Sequence, residues 1–331
     1  MIDFRYHLVS IVAVFLALTI GIVVGTSLLQ DPLLDKLNAD TTALRQESED
    51  LRDAYQTEED LNVGAGELVD AHAAEITENL LSGSSVVLVE APGVSTELRD
   101  ALAARIGAAG GTVTGRVSFT ESYIDENEFT VLDELVTQIV PEGLTLPDGG
   151  VYERAGAEVG YAVMTPDAED ERTESDQQTA QSMLASLESA GFVQLDGDPV
   201  QGAELAVLLA PEEPFAEPVT ETATGAFVAL AQQLDAAGVG ALVVDGPGGP
   251  LPESLVAAVR AEGAEVSTFD AARGPAGQVA TILALATVAS GTDGQYGIGP
   301  DSDGFVPDPL PEPVPSAEPE AQESADEGNG N

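Results

Sequence analysis

Hydrophobic and polar positions change their pattern three times along the chain, and each change marks a different element. Leu8 to Leu29 holds no charged side chain across 22 positions. Wound as a helix it reaches about 33 Å, enough for a hydrocarbon core of about 30 Å. Asp31-Pro32 then reads as an N-cap followed by proline at the first helical position, a signal for a restarted helix. From there to about Leu80 the chain is helix-forming and charged. Leu37, Leu44 and Leu51 recur every seventh position, with Leu34, Thr41, Ser48 and Tyr55 in the alternate slot, as in a coiled-coil heptad.

Beyond Gly83 short apolar runs alternate with helical stretches. Strands are predicted at SVVLVE (85–90), TVTGRVSFT, FVQL, LAVLLA (205–210), ALVVDG (241–246) and AEVSTF. Helices are predicted from Ser95 as N-cap to about Gly107, over about 127–139, after the acidic loop DAEDERTESD to about Ala190, and over about 224–237, 252–262 and 275–289. The run around Met164 reads as strand-like. Nearly all-apolar strands between helices predict an α/β layered domain with a mostly parallel sheet covered on both faces, as one sheet or as two lobes. The last stretch, from about Pro300, is acidic and proline-rich and offers too little apolar surface to offset its ordering entropy. The organisation is therefore 1–30 cytoplasmic N-terminus and transmembrane anchor, 31–82 extended helix or coiled coil, 83–299 extracytoplasmic α/β domain, and 300–331 disordered tail.

Charge narrows the partners. Asp and Glu number 58 against 11 Lys and Arg, a formal net charge of −47, and Lys36 is the only lysine. Such a surface repels phosphate backbones, which excludes nucleic acid as a partner. With no cysteine in the chain, disulfides, thiol nucleophiles, iron–sulfur clusters and thiolate metal sites are excluded.

The apolar run has two readings, a cleaved leader or a retained anchor. Signal-peptide cores are about 7–15 residues long, and this one is longer, which favours the anchor; Gly25 and Ser27 are the small residues a peptidase would need. Arg5 precedes the span, while Lys36 after it is surrounded by Asp31, Asp35 and Asp40, so the positive-inside rule puts the N-terminus in the cytoplasm. Gly21 and Gly25 form a GxxxG face that lets a second helix approach closely in lipid. With the heptad leucines Leu34, Leu37, Leu44 and Leu51, this predicts a homodimer or higher homo-oligomer. The competing reading of the heptad is an amphipathic helix packed on the chain's own globular domain.

The loops after apolar strands are the natural place for chemistry. EAPGVS (90–95) and DGPGGPLPES (245–254) follow strands and precede helices, yet neither is GxGxxG and neither carries a P-loop lysine. His7 lies at the membrane face and His72 in the distal helix, so a Ser-His-Asp arrangement is not suggested. Carboxylates are too abundant for spacing to select a pair. DSDG at 301–304 lacks the remaining ligands of a calcium loop. No catalytic residue, no cofactor-binding residue and no metal ligand is assigned, and the chain is not read as an enzyme.

RYHLVSIVAVFLALTIGIVVG (5–25) and the closing GQYGIG (294–299), together with GGTVTGRVSFT and QVATILAL, resemble the actinobacterial copper transporter family MctB over residues 1–299. The acidic tail departs from that family. The resemblance implies an envelope protein, described as channel-forming, that lowers intracellular copper; copper would be the transported ion rather than a bound cofactor. It also implies membrane lipid and an envelope or divisome protein as partners, since related proteins regulate cell separation and peptidoglycan hydrolysis through an external coiled coil. Physical chemistry pulls against a literal transporter. One span encloses no polar path, and copper(I) prefers thiolate, thioether or imidazole, of which the chain offers only Met1, Met164, Met183 and two histidines. Two readings follow: a copper-homeostasis protein, and a non-enzymatic, dimeric, membrane-anchored coiled-coil interaction protein.

Overall fold

The structure is a computed structural model that describes residues 4–141, 143–166, 173–216, 218–246 and 251–315, without the side chains of residues 26–34. In chain order its elements are α1 (Phe4–Ile76), β1 (Ser85–Glu90), α2 (Thr96–Ala108), β2 (Thr112–Phe119), α3 (Phe129–Gln138), α4 (Val151–Val163), α5 (Glu174–Ser189) and β3 (Val193–Gly197). There follow β4 (Leu205–Leu209), α6 (Thr220–Ala237), β5 (Gly240–Val244), α7 (Leu255–Ala261), β6 (Ser267–Phe269), α8 (Gly274–Ala289) and β7 (Gln295–Tyr296). The chain divides into two units, residues 1–64 and 65–331.

The first unit is helical. The predicted restart at Asp31-Pro32 does not occur, because α1 runs through both residues. A proline inside a helix forfeits one backbone hydrogen bond without ending the helix by itself.

The second unit is built on one seven-stranded sheet in the order β3-β2-β1-β4-β5-β6-β7. Every pairing is parallel except β2 with β3. This settles the open choice in favour of one sheet. Period-two alternation sends successive strand residues to opposite faces, and in the central strands both faces are apolar. Val87, Val89, Ala206, Leu208 and Val243 pack under α3 to α7. Val86, Leu88, Val207, Leu209 and Leu242 pack under α2, α8 and the end of α1. The edge strand β3 is mostly exposed and polar, which blunts the sheet edge against further pairing. Within this unit, the last turns of α1 rest on the domain. Ala73 is buried, Val69 packs against the same cluster, and Asp70 meets Arg105 at 2.7 Å. Packing on the chain's own domain is thus the outcome for this end of the helix.

Two more expectations differ from the structure. The run before Met164 is the helix α4, while Met164 itself, at the C-terminal cap, is extended and bridges Ala203 in parallel. Ala155, Val159 and Ala162 give α4 a helical stripe, and an added Cβ at Gly160 would stand 3.0 Å from the Gln233 carbonyl oxygen, so glycine lets α4 lie close against α6. The start of the expected disordered tail is held in place: the Gly297 N–H donates to Gly304 O at 2.9 Å, the Val314 N–H donates to Asn79 O at 3.0 Å, and Phe305 meets Phe269 edge to face. These contacts bury apolar surface that composition averaged over the whole segment does not register. Residues 316–331 of that expectation lie outside the described residues.

Candidate functional site

Two surfaces carry what the chain can do, one in each unit. In the helical unit, Phe4–Gly25 is long and apolar enough to cross a membrane. A Cβ added at Gly21 or Gly25 would meet nothing within 4 Å, so this face is open. Leu37, Leu44 and Leu51 are 53, 65 and 65% exposed. The Leu34 side chain lies outside the described residues.

In the α/β unit, the strand order reverses direction between β1 and β4, and their carboxyl ends open a cleft there. In doubly wound sheets this switch point is where ligands bind. The Pro92-Gly93 turn follows β1, with Gly93 at φ +89°. Pro211-Glu212 follows β4, and the Glu212 N–H donates to Gly93 O at 3.0 Å, which fixes the two loops together. The cleft between them has a volume of about 750 Å³. Its floor is apolar, formed by Ile124, Phe215 and Val219, while Glu121, Asp125, Glu212 and Glu213 contribute carboxylates. Among the described residues no lysine or arginine lines it. Phe215 stacks on Phe227, which meets Phe119 and Tyr123 in the core, so packing holds the floor.

Behind this cleft lies Asp245, at the end of β5 and only 3% exposed. It lines a small adjoining cavity that shares Pro211, Glu212, Pro214 and Phe215 with the cleft. The Val256 N–H donates to Asp245 Oδ1 at 3.3 Å, and Oδ2 has no hydrogen-bond partner among the described residues. Burial pushes this carboxyl up to about 6, against the opposing pull of Ser254 and the Val256 amide.

The other buried carboxylates behave differently. Glu90 accepts from Ser118 Oγ at 2.9 Å and faces Arg116 at 3.4 Å and Arg99 at 3.8 Å. Asp270 pairs with Arg260 at 2.6 Å and accepts the Ile298 and Gly299 amides, while Arg260 also donates to Tyr296 O. That network anchors the closing GQYGIG. An added Cβ at Gly297 would strike the Asp270 carboxylate, so the motif reads as a clamp on the β6–β7 edge. Glu158 in α4 is 1% exposed with neither oxygen hydrogen-bonded among the described residues, and burial raises it to about 8.

Soft metal donors do not converge. Met164 and Met183 are buried in the core, and His72 is exposed on α1 with Nδ1 3.0 Å from Leu68 O. Among the described residues no three His, Asp or Glu side chains are grouped to hold a metal ion. Asp245, Asp270 and Glu158 were not singled out in the sequence. The signal available for the first two was a lone aspartate closing an apolar strand, and for Glu158 a glutamate among small apolar residues in helical register.

An apolar N-terminal helix of spanning length, joined to a doubly wound domain, fits a membrane or envelope protein. The sequence model of the family described as "Copper transport outer membrane protein, MctB" matches residues 1–307. The chain belongs to that family. Proteins named Copper transporter MctB in Mycobacterium bovis and Mycobacterium tuberculosis are 29% identical to it over 307 residues, covering 90% of this chain and 97% of theirs. The protein of the same name in Mycobacterium leprae is 29% identical over 314 residues, with the same shares. These relatives are named as transporters rather than as enzymes.

Proposed function

We propose that this chain is an envelope protein of copper homeostasis, anchored by Phe4–Gly25 with a cytoplasmic N-terminus and an extracytoplasmic α/β domain. The observation that carries the reading is the family match over residues 1–307, which takes in both the apolar helix and the whole sheet. A lone helix has no lumen, so any path for the ion needs several copies or another protein. The test is a deletion strain complemented with this gene. Restored copper tolerance and lowered cell copper are expected; unchanged copper content and sensitivity on deletion would refute the reading.

A second reading is favoured by one specific observation, the exposure of Leu37, Leu44 and Leu51 on α1 above an open Gly21–Gly25 face. In this reading the helix pairs two copies and presents a coiled coil to an envelope or divisome protein that governs cell-wall hydrolysis. Small-xxx-small faces bring backbones together in lipid, and heptad leucines extend the pairing into water. Gly21→Ile with Gly25→Ile, or Leu37→Lys with Leu44→Lys, should abolish the crosslinked dimer and impair cell separation. Intact dimer and normal separation in both variants would count against it.

A further inference from the structure

The leucine face of α1 is flanked by charges in a fixed order. With Leu37, Leu44 and Leu51 at d, the a slot holds Thr41, Ser48 and Tyr55. Asp40 and Glu47 then fall at g, and Arg45 and Arg52 at e. Setting the leucines at a instead would place Asp40 and Glu47 at d, inside the seam, where a charge is costly to bury. The first frame is therefore the one a pair of helices can bury. The chain has only 11 basic residues against 58 acidic ones, yet two of the 11 stand one heptad apart beside this seam. All four charged side chains are exposed on α1. The ion pairs of the described residues engage Arg99, Arg105, Arg116, Arg154 and Arg260, and neither Arg45 nor Arg52.

We propose that this face of α1 takes a second copy of the chain as a parallel, in-register coiled coil, in which Asp40 of each copy meets Arg45 of the other and Glu47 meets Arg52. In a parallel pair, the g side chain of one helix faces the e side chain five residues further along its neighbour. Five residues beyond Asp40 is Arg45, and five beyond Glu47 is Arg52, so both contacts are attractive and two-fold symmetry makes each of them twice. An antiparallel pair sets g against g and e against e, which is acid on acid and arginine on arginine. A slip of one heptad halves the attractive contacts and sets Glu47 against Glu59. Anchoring both copies through Phe4–Gly25 also starts the two helices from one side of the membrane, and so in parallel. Exposed ion pairs are individually weak; the leucines supply affinity, and the charges select the arrangement. The inference rests on the second reading above, that α1 pairs two copies, and adds the residues that set direction and register.

The chain has no cysteine, so a single introduced thiol forms a disulfide only with a second copy. The test is disulfide formation in the full-length protein in nonionic detergent at about 0.15 M salt. Thr41→Cys and Ser48→Cys, each alone, should crosslink, because a parallel pair in register sets every a residue beside itself. Gln46→Cys, at the outer f slot, should not. An antiparallel pair brings at most one position onto itself. Crosslinking at one or neither of the two a positions, in a protein that light scattering shows to be dimeric, would overturn the proposal and leave the pairing of copies standing. A monomeric wild type would overturn both. In the Ser48→Cys background, Arg45→Glu with Arg52→Glu, and separately Asp40→Arg with Glu47→Arg, should slow homodimer crosslinking roughly tenfold. Coexpressing the two charge variants should restore it as a heterodimer, which also shows that both still fold. Wild-type crosslinking rates in each variant alone, or no recovery on coexpression, would show that these charges select nothing and would overturn the proposal.

Discussion

Glu158 is the most deeply buried carboxyl without a hydrogen bond among the described residues, and replacing it by methionine should stabilise the protein in a strongly pH-dependent way. The side chain leaves the buried face of α4, is 1% exposed, and finds no hydrogen bond for either oxygen among the described residues. Burial holds its carboxyl at about 8 in place of 4.5, with Arg154 offsetting only part of the desolvation. In the unfolded chain the group ionises near its ordinary value; in the folded chain it stays protonated until about pH 8. Between those values the native state binds the extra proton, so stability falls as pH rises, by about 1.4 kcal/mol per pH unit. From pH 5 to pH 8 the loss approaches about 4 kcal/mol as an upper bound, and above that it is constant.

Methionine keeps the length and the helix propensity, removes the ionisation, and leaves Arg154 its partner Asp133. The variant should gain roughly 1–3 kcal/mol at pH 5, from burying no unpaired polar group. At pH 8 it should gain about 4 kcal/mol more. Urea unfolding read by near-ultraviolet circular dichroism reports on this unit, since Tyr123 is fully buried and Tyr152 packs against it. The comparison is between wild type and variant at pH 5, 6, 7 and 8. A stability difference that does not grow with pH would refute the reasoning, because it would place the ionised Glu158 in contact with water or a donor.

Two further substitutions test the closing clamp. Asp270→Asn removes the charge that Arg260 faces in a site where the two side chains are 1% and 9% exposed, and should cost about 3–5 kcal/mol by leaving the guanidinium buried without its counter-ion. Hydrogen exchange should show the Ile298 and Gly299 amides losing protection while β4 keeps it; retained protection at both amides would show the clamp to be dispensable. Gly297→Ala, at φ +131°, forces a methyl onto the Asp270 carboxylate and should destabilise by at least about 2 kcal/mol. Combined with Asp270→Asn it should cost clearly less than the sum, and strict additivity of the urea midpoints would show that the two residues are uncoupled.

What could be read from the sequence followed from what the pattern physically encodes. β1 and β4 are buried on both faces, so SVVLVE and LAVLLA announce themselves as apolar runs, and the observed bounds 85–90 and 205–209 match. The α/β class followed from their alternation with helices. Position along the sheet did not, because strand order depends on long-range packing that leaves no local mark. The helix α4 was misread because glycine and alanine, which admit α6 at close range, carry little periodic signal. At Asp31-Pro32 a strong local stop signal is overridden, since α1 continues through it. The cleft was invisible for a different reason. Its groups come from three separate loops and turns, and each looks like an ordinary acidic or proline-rich turn until the order β2-β1-β4 places them together.

That strand order is the one doubly wound folds use to hold dinucleotides, and here the site chemistry has the opposite sign. Phosphate binding at a switch point needs a glycine-rich turn, free helix N–H groups and a cation. In this chain Pro92 removes an N–H from the first loop, Gly93 spends its carbonyl on Glu212, and the nearest charges are Glu121, Asp125, Glu212 and Glu213. An anion entering the cleft would meet only like charge in an already strongly acidic protein. The basic residues nearest the sheet's buried carboxylates are committed elsewhere: Arg99 of α2 and Arg116 of β2 face Glu90, and Arg260 of α7 holds Asp270. Fold therefore predicts the place of binding but not its content. The carboxylates on the two loops disfavour an anionic ligand at this edge of the sheet.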